Sequence, residues 1–213
     1  TYRWTVTSHA GPGPGESGDS KLWMYHSHKN EILDTYAGLF GVVLIVSNDS
    51  SIYNQQDLTP VDNTSEIILH FSVMNEGQSV HAVRNVQRNI QNSKLDPGKV
   101  TALLENEQFV ESNLMHAING YVYCNGPPFT AKVGELMRVH MYSLGTEVDI
   151  HSPVFGNEVM QLDTGSSRSS GKLLPGIFFS ADIHPMRTGK FELRCNVDDH
   201  IKAGMRALFE IKP

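Results

Sequence analysis

The sequence predicts an all-β fold, an antiparallel sandwich or barrel, and three observations lead to this expectation. First, the opening residues Tyr2, Trp4 and Val6 are apolar at alternate positions, as in a half-buried strand. Second, Gly, Pro, Asn and Asp turns separate the apolar segments further along. Third, eight of these segments are short and rich in β-branched and aromatic residues: "KLWMYHSH", "GLFGVVLIV", "EIILHFSVM", "LMRVHMYSL", "EVDIHSPVF", "GIFFSADIH", "KFELRC" and "MRALFEIK". Many such strands are typical of sandwiches and barrels.

The order of these segments predicts two β domains. Residues 1–46 read as the C-terminal part of one β domain, and residues 66–213 as a complete second one. Between them, residues 47–65 are polar and are typical of an interdomain linker. Within the second domain, apolar residues at 80, 83, 86 and 90 predict a short helix in a long insertion.

Composition excludes several classes of protein. The chain of 213 residues carries a net charge of −6 with scattered basic residues, which argues against nucleic-acid binding. It has no apolar run of about 18 residues that would span a membrane. No signal peptide is recognisable, and Thr1 looks like an interior cut. Two polar-loop segments, at Asn48 and Asn63, fit the glycosylation acceptor and favour an extracellular or cell-surface ectodomain.

The strongest chemical signal is the segment "CNVDDHIKAGM", residues 195–205. Cys195, His200 and Met205 have four residues between each pair. With a second histidine they form the ligand set of a type-1 copper site, namely two imidazoles, a thiolate and a distant thioether. His151, on the run "GTEVDIHSPVF", is the expected fourth member, because a strand histidine followed by such a loop is the arrangement of a cupredoxin site.

Two other interpretations of this segment stay open. Cys195 and Met205 also fit as core residues, with His200 at the surface. A structural zinc site fits less well, because it would require more thiolates or a fourth nitrogen.

Four segments resemble the multicopper ferroxidases of the ceruloplasmin and hephaestin family: "DSKLWMYHSHKNEILDTYAGLFGVVLI", "ESNLMHAINGYVYCNGPP", "GTEVDIHSPVFGNEV" and "CNVDDHIKAGMRALFEI". They occur in the family's order and cover nearly the whole chain. The resemblance implies a cupredoxin-like Greek-key β-sandwich, with one partial and one complete domain. It assigns type-1 copper to His151, Cys195, His200 and Met205, and it implies that Cys195 and His200 carry the electrons.

The resemblance also implies two further metal sites. His26 and His28 lie two residues apart and would share one side of a strand. In the family, such a pair supplies ligands to the type-3 coppers of a trinuclear cluster, whose other ligands lie outside this chain. Two partly exposed strand histidines are the simpler alternative.

The second implied site is for iron. Glu111, His116 and Asp199 match the family's ferrous iron site, where carboxylates favour the Fe(III) product. Glu147 matches a carboxylate lent to the iron site of a neighbouring domain. Each of these acids, taken singly, also fits as a solvated surface residue.

Together these features predict a part of a multicopper ferroxidase that oxidises Fe(II) and reduces O2 to water, inactive as an isolated fragment. The expected partners are the remaining cupredoxin domains and an iron permease or iron carrier. Arg194 and Asn196 flank the copper-ligand cysteine where a cluster-feeding domain has histidines, so electrons would pass to another type-1 copper. Cys124 has no expected partner and reads as a buried free thiol.

Two alternatives remain from other functional classes. One is a non-catalytic scaffold, like the A domains of clotting cofactors. The other is an oxidase of organic amines or phenols.

Overall fold

The computed structural model of the protein describes residues 3–16, 18–89, 96–145 and 149–213. In these ranges the chain is mostly β-structure. The strands are β1 Ser20–His26, β2 Phe40–Val46, β3 Thr64–Asn75, β4 Leu114–Ile118, β5 Phe129–Lys132, β6 Leu136–Ser143, β7 Pro153–Phe155, β8 Met160–Leu162, β9 Ser167–Arg168, β10 Phe178–Ile183, β11 Gly189–Cys195 and β12 Arg206–Lys212. The helices are α1 Glu31–Thr35, α2 Ala82–Asn89, α3 Pro97–Leu104, α4 Glu107–Ser112 and α5 Asp198–Lys202, with 3-10 turns at Ser8–Ala10 and Glu76–Gln78.

Ten of the strands form two sheets that pack face to face. The larger sheet has the order β4-β3-β6-β10-β8-β9, and the smaller has the order β5-β12-β11-β7. Strands β3 and β6 pair in parallel, as do β5 and β12, whereas the other pairs are antiparallel. Neighbours in the sheets are mostly not neighbours in the chain, so the connections cross between the layers as in a Greek-key sandwich. The predicted all-β sandwich is therefore confirmed.

Alternation along the strands builds the core between the sheets. In β3 the buried side chains that face the second sheet are those of Ile67, Leu69, Phe71 and Val73. From the other layer, Phe209 of β12 stacks against neighbouring aromatic rings in the same core. Because side chains alternate between the faces of a strand, every second residue of β3 points to the outer face.

The hairpin β1–β2 covers part of that outer face. Leu22 is 1% exposed and packs with Tyr142, on the outer face of β6, and with Leu144, directly after the end of β6. The opposite face of the hairpin presents Trp23 and Val43, which are exposed and lie opposite each other in the ladder. The division of the chain into domains at residues 46 and 66 stays a prediction.

A buried polar cluster lies beneath the start of this hairpin. The Arg138 guanidinium is fully buried and donates two hydrogen bonds to the Asp163 carboxylate and one to Asp182. It also donates to the backbone oxygen of Ser20, at 2.8 Å. A Cβ atom on Gly18 would lie 1.8 Å from this guanidinium, so only glycine fits there.

Some predicted elements differ in the structure. Residues 3–7 form no strand, and Trp4 and Val6 are exposed; Tyr2 lies outside the described residues. Residues 147 and 148 of the strand predicted over 147–155 lie outside the described residues. Among the remaining residues the structure has the strand β7 and an isolated bridge between His151 and Leu173.

The helical insertion is larger than predicted. The helix expected within 79–92 is confirmed as α2, and residue 90 lies outside the described part of the chain. Two further helices, α3 and α4, were missed, although Asp96 followed by Pro97 is a helix-start signal. None of the helices in the described ranges is long and apolar enough to cross a membrane.

Candidate metal centre

The candidate metal centre lies at one end of the sandwich, where the loop between β11 and β12 meets the segment before β7. Cys195 is the last residue of β11, and its backbone N–H donates to the Met205 carbonyl at 3.1 Å. Inside the loop the short helix α5 carries His200, whose carbonyl accepts from the Met205 N–H at 2.9 Å. These two main-chain bonds close the loop that carries Cys195, His200 and Met205.

Three donor atoms, two from this loop and one from the segment before β7, converge at the centre. The Nδ1 atoms of His151 and His200 are 3.1 Å apart, and the Cys195 Sγ lies 3.6 Å from His200 Nδ1. All three ligand atoms lie within 4.8 Å of one another, and all three residues are buried. Within the described ranges, no other set of three His, Cys, Asp or Glu ligand atoms is this compact. Met205, the predicted axial residue, is fully buried where the loop ends.

The Cys195 sulfur lies in surroundings that favour the thiolate. Burial alone raises the pKa of the thiol, but the neighbouring imidazoles of His151 and His200 and two backbone amides outweigh it and bring the pKa to about 6. The two amides are those of Ser152 and Val197, which donate to Sγ at 3.3 and 3.5 Å. The thiolate is the form of cysteine that binds metals.

The donor set suits copper. Two imidazoles and one thiolate, buried together without a carboxylate among them, are consistent with a type-1 copper site. The interpretation of His200 as a surface residue does not hold, since its side chain is 7% exposed.

Sequence reasoning missed Asp149, a fully buried carboxylate beside the centre. Its Oδ1 lies 3.3 Å from His151 Nε2 and accepts a hydrogen bond from the Val73 N–H at 2.6 Å. Burial lowers the pKa of His151, but the hydrogen bonds and charges of Asp149 and Cys195 outweigh it and raise that pKa. The only signal in the sequence was the spacing of Asp149 two residues before His151.

The predicted iron residues lie near the centre, but their ligand atoms do not come together at one point. His116 lies in β4, and its ring centroid is 5.1 Å from that of His200. Burial and the neighbouring His200 lower the pKa of His116, while Glu111 acts in the opposite direction. Glu111 and Asp199 are exposed, and these three residues do not bring their ligand atoms within 4.8 Å of one another. Glu147 lies outside the described residues.

The predicted type-3 pair is at the end of the hairpin. His26 is the last residue of β1, and its ring stacks against that of His28 with centroids 5.6 Å apart. His26 Nδ1 lies 3.7 Å from the Glu31 carboxylate and 3.0 Å from the Ser27 carbonyl. The two imidazoles are therefore neighbours, and His26 also lines an open pocket together with Glu31 and Thr35. Cys124, expected to be buried, is only half-buried, and its thiol is free.

Comparison with solved structures identifies the fold. The copper nitrite reductase from Nitrosomonas europaea superposes with a TM-score of 0.60 at 14% identity, covering 90% of this chain and 62% of that one. The blue copper oxidase from Nitrosomonas europaea superposes with a TM-score of 0.58 at 15% identity, covering 89% and 55%. The fold is therefore that of the cupredoxin domains of multicopper proteins, as the sequence predicted. No protein-family model matches the chain.

Curated relatives place the chain more closely. Hephaestin of Homo sapiens is 34% identical over 211 residues, and ferroxidase HEPHL1 of Mus musculus is 31% identical over 213 residues, each covering 99% of this chain. Ceruloplasmin of Mus musculus is 31% identical over 215 residues and covers 100% of it. Over its whole length the chain is related to one segment of the hephaestin and ceruloplasmin proteins, so the resemblance is confirmed. It spans 17–19% of the length of these relatives.

Proposed function

We propose that this chain is the part of a multicopper ferroxidase that accepts electrons from Fe(II) and passes them on through type-1 copper. The observation that carries the proposal is the convergence of His151, Cys195 and His200, with three buried ligand atoms within 4.8 Å of one another. Met205, fully buried at the end of the same loop, is the proposed axial ligand. Copper held by these four residues supplies one-electron transfer.

The chain's own residues supply what this chemistry requires. The amides of Ser152 and Val197 stabilise the thiolate form of Cys195. The packed β11–β12 loop keeps water away from the sulfur, since Cys195 and Met205 are both fully buried. His200 is the proposed route by which electrons enter, because its ring lies next to that of the half-buried His116.

We propose that the substrate Fe(II) binds beside His200, using Glu111, His116 and Asp199. Support comes from the contact between the His116 and His200 rings and from the electrostatic effect of Glu111 on His116. Carboxylates bind Fe(III) more tightly than Fe(II), which promotes loss of an electron. The printed name of one relative, ferroxidase HEPHL1, agrees with this substrate. Glu147 remains the proposed contribution to the iron site of a neighbouring domain.

Dioxygen reduction to water requires residues beyond this chain. His26 and His28 offer two adjacent imidazoles for the type-3 coppers of a trinuclear cluster, and their stacked rings support a shared role. Arg194 and Asn196 flank Cys195, so the proposed route for electrons runs to another type-1 copper. The proposed setting is an extracellular or cell-surface ectodomain with further cupredoxin domains, and an iron permease or iron carrier as the partner that takes up Fe(III).

A copper-loading experiment tests the proposal. The wild-type chain loaded with Cu(II) should develop the visible thiolate-to-copper absorption, and Cys195→Ser should abolish it. Cys124→Ser is the matched control, since Cys124 is the second free thiol and lies outside the centre. Colour that persists in Cys195→Ser, or that is lost in Cys124→Ser, would show that copper binds elsewhere.

Iron oxidation is tested in the full-length protein by single-turnover reduction of this domain's copper by Fe(II). The double variant Glu111→Ala with Asp199→Ala should slow the reduction, whereas an organic electron donor should react at nearly the wild-type rate. The matched control changes Glu107 and Asp198, exposed acids in the same two helices, to alanine. Equal slowing in both double variants would indicate a general charge effect and no iron site at these residues.

Two alternatives make different predictions in these tests. A scaffold protein, like the A domains of clotting cofactors, would show no copper colour in the wild-type chain. An oxidase of organic amines or phenols would show the colour, but the loss of Glu111 and Asp199 would not affect its reduction by Fe(II).

A further inference from the structure

We infer that Asp149 is the positioning residue of the metal centre, fixing the tautomer and orientation of His151 through its Nε2 atom. Asp149 lies outside the segment that carries Cys195, His200 and Met205. Only the predicted effect of Asp149 on the metal rests on the proposed copper function. Asp149 is fully buried, as is His151, so water does not satisfy either group. Its role has to be derived from its contacts.

The contacts of the Asp149 carboxylate determine which nitrogen of His151 carries the proton. Oδ1 accepts from the Val73 N–H at 2.6 Å and lies 3.3 Å from His151 Nε2. A carboxylate only accepts hydrogen bonds, so His151 Nε2 must be the donor. The proton on Nε2 leaves the lone pair on Nδ1, which is the atom 3.1 Å from His200 Nδ1. Asp149 therefore selects the tautomer of His151 in which the unprotonated Nδ1 faces the centre and can bind a metal.

Two parts of the fold hold the carboxylate in place. Val73 lies on β3, so its amide anchors Asp149 to the larger sheet, and this bond joins residues 76 positions apart. Gly145, with a φ of +140°, approaches the second oxygen so closely that a Cβ atom there would lie 2.0 Å from Oδ2. A side chain at residue 145 would displace the carboxylate, so the glycine is part of the same arrangement. Carboxylate–histidine–metal contacts of this kind orient the ring and increase the basicity of the ligand.

The negative charge of Asp149 also acts on the metal. A carboxylate that accepts from a ligand imidazole stabilises the more highly charged oxidised metal more than the reduced one. Removing the charge while keeping the shape should therefore weaken binding of Cu(II) more than binding of Cu(I). Loss of an outer partner of a metal ligand typically weakens metal affinity about 10–100-fold. A tenfold change in the ratio of the two affinities corresponds to about 59 mV in a one-electron potential.

The first experiment uses the wild-type chain without metal, so its result does not depend on the proposed function. Nitrogen-15 NMR of the histidine side chains at alkaline pH should find the His151 proton on Nε2. In Asp149→Ala this preference should be lost. A proton on Nδ1 of His151 in the wild-type chain would overturn the inference, even if copper binds normally.

The second experiment compares the copper potentials of Asp149→Asn and the wild-type chain. Asn keeps an oxygen that accepts from Val73 and His151 but removes the charge, so the visible band should remain while the potential rises. Gly145→Ala, which displaces the carboxylate without removing it, should move the potential in the same direction.

Asp198→Asn is the matched control, because this exposed acid lies on the helix of His200 and pairs with Lys202. An unchanged potential in a folded, copper-loaded Asp149→Asn would overturn the role of Asp149. A purely structural residue would lower stability and leave the potential unchanged. If Asp149→Asn does not fold, the His151 tautomer measured by NMR in the wild-type chain still tests the inference.

Discussion

Replacing Arg138 with methionine should destabilise the fold strongly, because the guanidinium is the centre of a buried ion cluster. Its side chain is fully buried, while those of Asp163 and Asp182 are 19% and 18% exposed. The Nη1 atom lies 2.6 Å from Asp163 Oδ1 and 3.0 Å from Asp182 Oδ1. Burial lowers the pKa of Arg138, but the two carboxylates outweigh it and raise that pKa, so the group is charged.

The magnitude follows from what remains after the substitution. Methionine fills most of the volume, but two mostly buried carboxylates lose the cation that compensates them, which typically costs about 3–5 kcal/mol. The Ser20 carbonyl also loses its donor, at 2.8 Å, and the start of the hairpin loses its anchor. With a urea m-value of about 2 kcal/mol/M, the unfolding midpoint should fall by about 2 M. Amide exchange in β1 should accelerate as well.

Urea unfolding followed by circular dichroism measures the effect. Arg168→Met is the matched control, because Arg168 is exposed in β9, and its loss should change stability by no more than about 0.5 kcal/mol. Adding Asp163→Asn to Arg138→Met should restore part of the stability, since one uncompensated charge disappears. A loss below about 1 kcal/mol in Arg138→Met would refute the reasoning, because the carboxylates would then be satisfied without the arginine.

Three further predictions concern acid stability, the hairpin and the metal. Burial lowers the pKa of His70 to about 4 from 6.5, so unfolding takes up a proton between these values. Stability should therefore fall as pH drops from 6.5 towards 4, by up to about 1.4 kcal/mol per pH unit, and His70→Phe should remove this part of the dependence in urea titrations. Leu22→Ala should cost about 2–5 kcal/mol in the same assay, because Leu22 is 1% exposed, whereas the exposed Val43→Ala should cost far less; equal losses would mean that the hairpin does not depend on its packed face. Copper at one hundred times its Kd should stabilise the chain by about 2.7 kcal/mol, and a chelator should reverse this; a thermal shift of the same size in Cys195→Ser would place the metal elsewhere.

The strands that the sequence predicted well are those whose pattern is set by one buried face. Residues 66–74 have an apolar residue at every odd-numbered position, and the structure extends this segment to β3, with residues 67, 69, 71 and 73 in the core. The same holds for residues 190–195, which form most of β11 and end at Cys195. Periodicity was less informative where pairing depends on a distant neighbour. Residues 3–7 alternate in the same way but form no strand in the structure.

In the candidate site, too, some residues were predictable from the sequence and others were not. Cys195, His200 and Met205 were recognisable because a single loop carries them, and residue types with regular spacing are visible in one sequence. Asp149 was not recognisable, because its importance arises from the Val73 amide, 76 residues away. Arg138 was missed for the same reason, since its contact with Ser20 spans 118 residues. Contacts between residues so far apart in the chain form only when the chain folds, so the local sequence pattern does not predict them.

The convergence of the donors is a property of the backbone as much as of the side chains. Ser152 donates its N–H to the Cys195 sulfur, and its carbonyl accepts from the Asn196 N–H at 2.8 Å. These two contacts hold the segment that carries His151 against the start of the β11–β12 loop. One is made to the side chain of Cys195 and the other to the main chain of Asn196. His151 is held from its other side by reciprocal main-chain bonds with Leu173, both at 2.9 Å. Because protein contacts alone fix the positions of the nitrogen and sulfur donors, the centre has little freedom to rearrange when its charge changes. A centre that rearranges little is suited to electron transfer, whereas a site for binding and releasing a substrate needs open positions, as at the exposed Glu111 and Asp199.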